Sequence, residues 1–599
     1  MSAPRPVATR KAVSNRAAPP EAPREEPPPE QAVAPGRSLV RVGADRGASL
    51  AERVVGQFHR LTWRTPLHQM RLRGRHPLKL LGVPRDPVAG DARAGAELIE
   101  GEIVWGTVRA DLATLDFADS RHGRGFVDHV QSFAWLRDLP VAGPREVTAP
   151  VAEAVLARWL HAHADRVDDV AWRPDLWGRR ILAWTFHAPL ILSSGDVTYR
   201  SAVLNTLARG ARHLDRAADT AAVGVPRIAA YAGLIVAGLL IPGGDPRVAI
   251  GEQGLARALR QGTMPDGGVV SRSPVDLLDL VELLASLLAV YEERRREPPG
   301  MATATLARAV PALLGVMLGD GQLSSWQGGG PLDAGRVARV VTGSGIRTRP
   351  QRQSRDWGFQ RLSAGQTVAV IDCAPPPASR LARGGCASTL AFELADGPRR
   401  IVVNCGGGQP WGTLTRGIAA GLRTTAAHST LTLADSNSTA IHADGSLGRG
   451  VTLVELDRQE QEAASRIEAS HDGYVRRHGF VHRRLLSLAA DGRELAGEDV
   501  LLPRNEGRGS RPGLPIAFAA RFHLAPGVEA TATADGMAAL LRVDGGPPWQ
   551  FRCRGGALAI EDGLWIDGAG RPTPATQLVV TGEAPAGGTS VSWTFKRAG

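Results

Sequence analysis

Residues 274–296 read PVDLLDLVELLASLLAVYEERRR. Val275, Leu277, Leu278, Leu280, Val281, Leu283, Leu284, Leu287, Leu288 and Val290 cover nearly the whole circumference of a helix, so the segment predicts a helix buried on most sides. Working outward, the helical period recurs over 120–139, 150–165, 175–192, 197–218, 226–241, 247–261 and 303–318. Val151, Val155, Leu156, Trp159, Leu160 and His163 show it at spacings of three and four. Punctuation such as Pro242-Gly243-Gly244 and Pro298-Pro299-Gly300 separates the segments. The pattern predicts antiparallel helical hairpins, and helix 274–296 suits the inner ring of a double-layered barrel, although a stacked solenoid has the same signature. The apolar run Ile228 to Ile241 is shorter than the roughly 20 residues that span a bilayer, so it reads as a buried helix.

After about residue 320 the period becomes two, as in Thr367-Val368-Ala369-Val370-Ile371-Asp372, Leu390-Ala391-Phe392-Glu393-Leu394 and Ser429-Thr430-Leu431-Thr432-Leu433. Turns such as Ala395-Asp396-Gly397 and Asp544-Gly545-Gly546 recur between these runs. The fold class expected is therefore α then β: an (α/α) toroid-like helical barrel over 41–320, a linker over 321–355 and an antiparallel β-sandwich over 356–599. Residues 1–40, rich in Pro, Glu, Arg and Ala without apolar periodicity, predict a disordered tail.

A chain of 599 residues exceeds a single core, which agrees with two large domains. Aromatic content of 5% argues against a sugar-binding surface of stacked rings, leaving charge and hydrogen bonds to hold any polar ligand. The net charge of +11 is carried almost wholly by arginine, since Lys11, Lys79 and Lys596 are the only lysines. Guanidinium groups grip carboxylate, sulfate or phosphate through paired hydrogen bonds, which admits an acidic polymer as partner. The arginines are scattered without interleaved aromatics or a nucleic-acid module, so nucleic acid is disfavoured. Cys373, Cys386, Cys405 and Cys553 show no metal or disulfide spacing and read as buried small apolar groups. The first 38 residues lack the apolar core of a secretory signal.

Two stretches carry a resemblance: AAHSTLTLADSNST at 426–439 and SHDGYVRRHGFVHRRLLSL at 470–488. With the order helical domain then β domain, they resemble the heparinase II/III-like family of polysaccharide lyases over residues 95–595. The resemblance implies β-elimination on an acidic, uronate-containing and glycosaminoglycan-like polysaccharide, in a bacterial cell envelope or periplasm; the missing export signal makes the cytoplasm the alternative. By the same resemblance His428 and Tyr474 are the catalytic candidates, and Arg227, Arg272, Arg423 and His471 the substrate-binding ones.

The departures from the family are as informative. Gly384, Cys386 and Ser388 stand where His, His and Asp are expected, and Asn404 stands at an acidic position. Too few ligands remain for zinc, so neither metal nor cofactor is expected. Gly224-Val225-Pro226-Arg227-Ile228 replaces an Asn-Asn-His-like stretch, and Val275-Asp276 follow where a Tyr is usual. The alternative reading is a non-catalytic relative that binds acidic carbohydrate. In either reading a retained site would have Arg227 and Arg272 facing His428 across a cleft and lowering its pKa, and Arg272→Ala and His428→Ala would weaken acidic-glycan binding or turnover with little change in stability. Ser273 with Pro274 also reads as a plain helix cap, with or without an anion beside Arg272.

Overall fold

The computed structural model describes residues 33 and 35–598, apart from 42–62, 64, 75, 118, 169, 382–383, 408–413 and 505–513. The helix foreseen at 274–296 runs Pro274–Glu293; Ser273 caps it by accepting from the Asp276 amide, and Pro274 takes the first position, where no amide donor is needed. Leu277, Leu278, Leu280, Val281, Leu284 and Leu287 are all fully buried. Around it stand the helices Arg145–His163, Pro174–Phe186, Val197–Ala217, Val225–Leu240, Asp245–Gly262 and Gly300–Gly315.

The run 228–241 falls in helix Val225–Leu240 up to its C-cap Ile241, and every residue of that helix except Pro226 and Arg227 is buried. Among the described residues no helix is long and apolar enough to cross a membrane. This helix meets Pro174–Phe186 backbone to backbone: a Cβ on Gly233 would stand 2.3 Å from the Gly178 Cα. Glycine is required at such a crossing because any side chain would force the helices apart. Beside it Phe133, Trp159 and Trp177 flank the fully buried Arg180. Its guanidinium lies 4.2 Å over the Trp159 ring and 4.6 Å over Trp177, and donates to the carbonyls of Gln131 and Ala171. Burial, with no carboxylate in hydrogen-bond contact, pulls the group down to about 9.

The β half consists of two antiparallel sheets. In the nine-stranded sheet the order is Gly36–Arg41, Leu453–Glu460, Ala464–His471, Phe480–Ala489, Glu494–Pro503, Thr589–Arg597, Trp549–Arg554, Ala538–Val543 and Val528–Ala532. The eight-stranded sheet runs from Ala557–Ile566 through Pro572–Ala584, Ile516–Leu524, Arg399–Val403, Phe392–Asp396 and Thr367–Asp372 to Phe359–Ala364, with Leu431–Leu433 paired on Ile516–Leu524. Residues 480–489 alternate buried and half-buried without exception, the signature of a strand with one face on the core. Phe392, Phe522, Phe551, Trp593 and Phe595 form the aromatic centre between the sheets.

Three expectations are corrected here. Residues 36–41, assigned mostly to the tail, form an edge strand paired with Leu453–Glu460, and Val40 enters the sandwich core; residues 1–32 lie outside those described. Residues 102–111 form a hairpin inside the helical half. The segment expected as a linker contains the helix Ala334–Gly343 and, before it, a stretch at 323–332 that is buried throughout.

Candidate functional site

That buried stretch, Leu323-Ser324-Ser325-Trp326-Gln327-Gly328-Gly329-Gly330-Pro331-Leu332, wedges between the helical domain and the eight-stranded sheet. A buried loop has backbone groups that no ladder satisfies, so side chains must meet them. Glu393 accepts from the Ser325 amide at 3.0 Å, and Asn404 Nδ2 donates to the Ser325 carbonyl at 3.1 Å. Arg400 donates to the Leu323 carbonyl and pairs with Asp320 and Glu393. Gln327 Oε1 accepts from the Cys386 amide at 2.8 Å, while its Nε2 donates to Ser388 Oγ at 2.9 Å.

Asp372 closes the seam. One carboxylate oxygen accepts from Arg272 Nη2 at 2.6 Å, and the other accepts from Ser388 Oγ at 2.7 Å. Arg272 also donates to the carbonyls of Trp357 and Pro375 and lies 4.7 Å over the Phe359 ring. Both ends of this ion pair are buried, at 3% and 0% side-chain exposure. Arg272, Gln327 and Leu390 have φ values of 57°, 50° and 64°, so three side-chain-bearing residues adopt left-handed conformations in one neighbourhood. Each such residue costs on the order of 1–3 kcal/mol and persists only where surrounding contacts impose it.

The backbones themselves touch. A Cβ on Gly328 would lie 2.7 Å from the Gly384 Cα, and one on Gly330 2.7 Å from the Gly407 amide nitrogen. At these points no gap remains for a polymer chain.

The candidates fall unevenly about this seam. His428 follows the short turn Thr425–Ala427 and is 1% exposed. Its Nδ1 donates to the Thr424 carbonyl at 2.7 Å, which leaves the lone pair on Nε2. Burial lowers it to about 4, with the Thr424 bond and Asp372 acting against the shift. Arg272 and His428 thus both bear on Asp372, but no arginine contributes to the depressed value, contrary to expectation. Arg423 donates from Nε to the Gly385 carbonyl, and its buried Nη2 has no hydrogen-bond partner among the described residues. Arg227 stays within the helical domain, bonded to Ala221 and Gln261.

Tyr474 and His471 belong elsewhere. The Tyr474 hydroxyl donates to the Leu431 carbonyl at 2.9 Å in the sandwich core, and burial raises its pKa. His471 is the first link of a buried relay. The Gly473 amide donates to its Nδ1, its Nε2 bonds His482 Nδ1 at 3.2 Å, and His482 Nε2 bonds Asp499 at 2.7 Å. Asp499 also takes two bonds from Arg484 and one from Trp593. Burial opposes its charge, yet Arg484 and His482 prevail and hold the carboxyl below the usual carboxylate range. The basic cluster at 471–484 is therefore not one solvated face, because strand alternation turns His482 and Arg484 inward.

The positions where a zinc set would stand are otherwise engaged. The Cys386 thiol donates to Gly384 and is pushed up to about 11 by burial; Ser388 and Asn404 serve the seam. The residues missed in the sequence were Asp372, Gln327 and Glu393. A carboxylate ending the apolar strand TVAVID was the available signal.

Residues 346–594 match the family described as heparinase II/III-like, C-terminal. The β half of the chain is thus similar to the C-terminal domain of that family. The fold extends the likeness into the helical half. A crystal structure of heparinase III superposes with a TM-score of 0.64 at 12% identity, covering 93% of each chain. A mutant of the heparan sulfate lyase HepC from Pedobacter heparinus gives 0.59 at 14% identity, over 92% of this chain and 90% of that one. FtsZ-localized protein C of Caulobacter vibrioides is 27% identical over 561 residues, 89% of this chain and 92% of that protein. The chain thus has a polysaccharide-lyase-like fold, with a relative along most of its length whose name refers to FtsZ rather than to a glycan.

The depressed histidines predict a fold that weakens in acid. Burial lowers His129 and His213 to about 3, and His428 and His523 to about 4. Since the folded values lie below the unfolded value of about 6.5, the unfolded chain takes up protons first as the pH falls. Stability is complete above that value and is lost as pH drops towards 4. Denaturation midpoints measured at about pH 7.5 and about pH 5 are expected to fall clearly at the lower pH; equal midpoints would count against these assignments.

Proposed function

We propose that this protein is a non-catalytic member of the lyase fold that acts by binding, and that it works with the FtsZ-based division apparatus. The observation that carries the non-catalytic reading is the sealed seam, where Asp372, Arg272, Gln327 and Ser388 join the two halves in buried hydrogen bonds. β-Elimination needs a base, a group to neutralise the uronate carboxylate and an acid around a substrate-sized opening. Here the imidazole is buried, the arginine is neutralised by a carboxylate of the protein itself, and the phenol is pinned in the sandwich. The association with FtsZ rests on the name of the Caulobacter vibrioides relative and its match along most of both chains. The cytoplasm, the alternative location in the sequence reading, goes with this proposal.

A second reading, a retained subsite for an acidic glycan, has one observation in its favour: the buried Nη2 of Arg423, without a hydrogen-bond partner among the described residues. One experiment separates the readings. The purified chain is incubated with a panel of uronate polysaccharides and followed by ultraviolet absorbance for unsaturated ends, while a parallel sample is sedimented with polymerised FtsZ. Co-sedimentation without new absorbance is expected. New absorbance would overturn the non-catalytic reading, and no co-sedimentation would overturn the association with FtsZ. Polysaccharide binding that is lost in Arg423→Ala would favour the glycan subsite.

A further inference from the structure

On the helical domain a cleft of about 520 Å³ opens between Gly74, His76 and Pro77, helix Val197–Ala217 and the turn that leads into helix Asp245–Gly262. It shares no residue with the seam. Arg212, Arg247 and His76 line it, together with an apolar strip that includes Pro77, Ile241 and Pro242. The volume falls within the range of small-molecule sites, and a few placed polar groups beside apolar surface is the usual composition of such sites.

The guanidinium of Arg212 is seated rather than loose. Nη1 donates to the Leu72 carbonyl at 2.9 Å, and a Cβ on Gly74 would stand 3.0 Å from Nη2, so the absent side chain lets the guanidinium lie on the backbone. Arg247 is held by two bonds to Asp215, at 2.9 and 3.1 Å. His76 is anchored to Ser201 Oγ at 3.1 Å. Burial and the like charge of Arg247 depress the Arg212 pKa, with Asp215 acting against the shift and Arg209 adding to it. A second cavity of about 230 Å³ shares Gly243 and Arg247 and extends the apolar surface to Ile250, which is 59% exposed.

We infer that this cleft binds a soluble phosphoryl-bearing small molecule, with the phosphoryl group between Arg212 and Arg247 and the organic part against Ile241 and Pro242. Two guanidinium groups facing one cleft suit a phosphoryl dianion, because its nearly two negative charges and three acceptor oxygens can engage both, where a single carboxylate brings one charge and two oxygens. The apolar strip calls for a ligand with more than a phosphate.

The test uses the full-length chain in calorimetric titrations with inorganic phosphate, pyrophosphate and a sugar phosphate. Saturable binding that weakens with added salt is expected, with the sugar phosphate above inorganic phosphate. Arg212→Ala should lose about tenfold to a hundredfold in affinity, the range for a charged hydrogen bond, and Arg212→Lys should recover part of it. If the alanine variant does not fold, Arg247→Gln gives the same reading from the opposite wall. Equal affinity in wild type and variants, no saturable binding of any probe, or capture only by phosphatidylglycerol vesicles would each overturn the proposal.

Discussion

Arg272→Ala is expected to destabilise the protein by about 3–5 kcal/mol, the usual cost of leaving one charge of a buried pair uncompensated. The substitution strands Asp372 with no countercharge in the seam and frees the carbonyls of Trp357 and Pro375. It also removes the side chain that holds a left-handed residue in place ahead of helix Pro274–Glu293. As a seam residue was expected from sequence to serve a ligand at little structural cost, this outcome reverses that expectation. Guanidinium denaturation of the wild type and variant provides the measurement. A midpoint within error of wild type would show that the seam is not held by this pair. Asp372→Ala should cost a similar amount, and the double variant less than the sum, since each single change strands the other's partner.

The second large effect belongs to Asp499→Asn, expected to cost about 3–5 kcal/mol on the same ground. The substitution keeps the shape and removes the charge, leaving Arg484 buried at 1% side-chain exposure beside a neutral amide. The relay from His471 through His482 loses its ionised acceptor, and the Trp593 indole loses its partner. Because Arg484 also holds the carbonyls of Leu390 and Ser429, the loss should reach both sheets. A thermal scan showing an unchanged melting temperature would contradict this account.

What the sequence revealed and what it hid follow from the range of the interactions. Helix Val225–Leu240 and strand Thr367–Asp372 were legible because each carries its pattern within its own residues. The cap at Ser273 and Pro274 was legible because its partners lie within three residues. The role of Arg272 was not, since Asp372 stands one hundred residues further on and periodicity carries no information about distant partners. For the same reason residues 323–332 looked like a linker. Their Gly-rich composition matches an exposed turn, and the side chains that make burial tolerable come from strands beyond residue 390. His428 was found by resemblance, and its burial is a property of the assembled seam rather than of the motif.

The strand Gly36–Arg41 pairs with residues 453–458, about four hundred positions later in the chain. On a ribosome adding roughly 5–20 residues each second, that strand emerges tens of seconds before its partner exists. Through this interval an extended segment carrying Leu39 and Val40 has no ladder to join, while the helical half collapses beside it. A pairing of such long range sets a slow final step, and it gives the nascent chain a period in which a neighbour could take the open place.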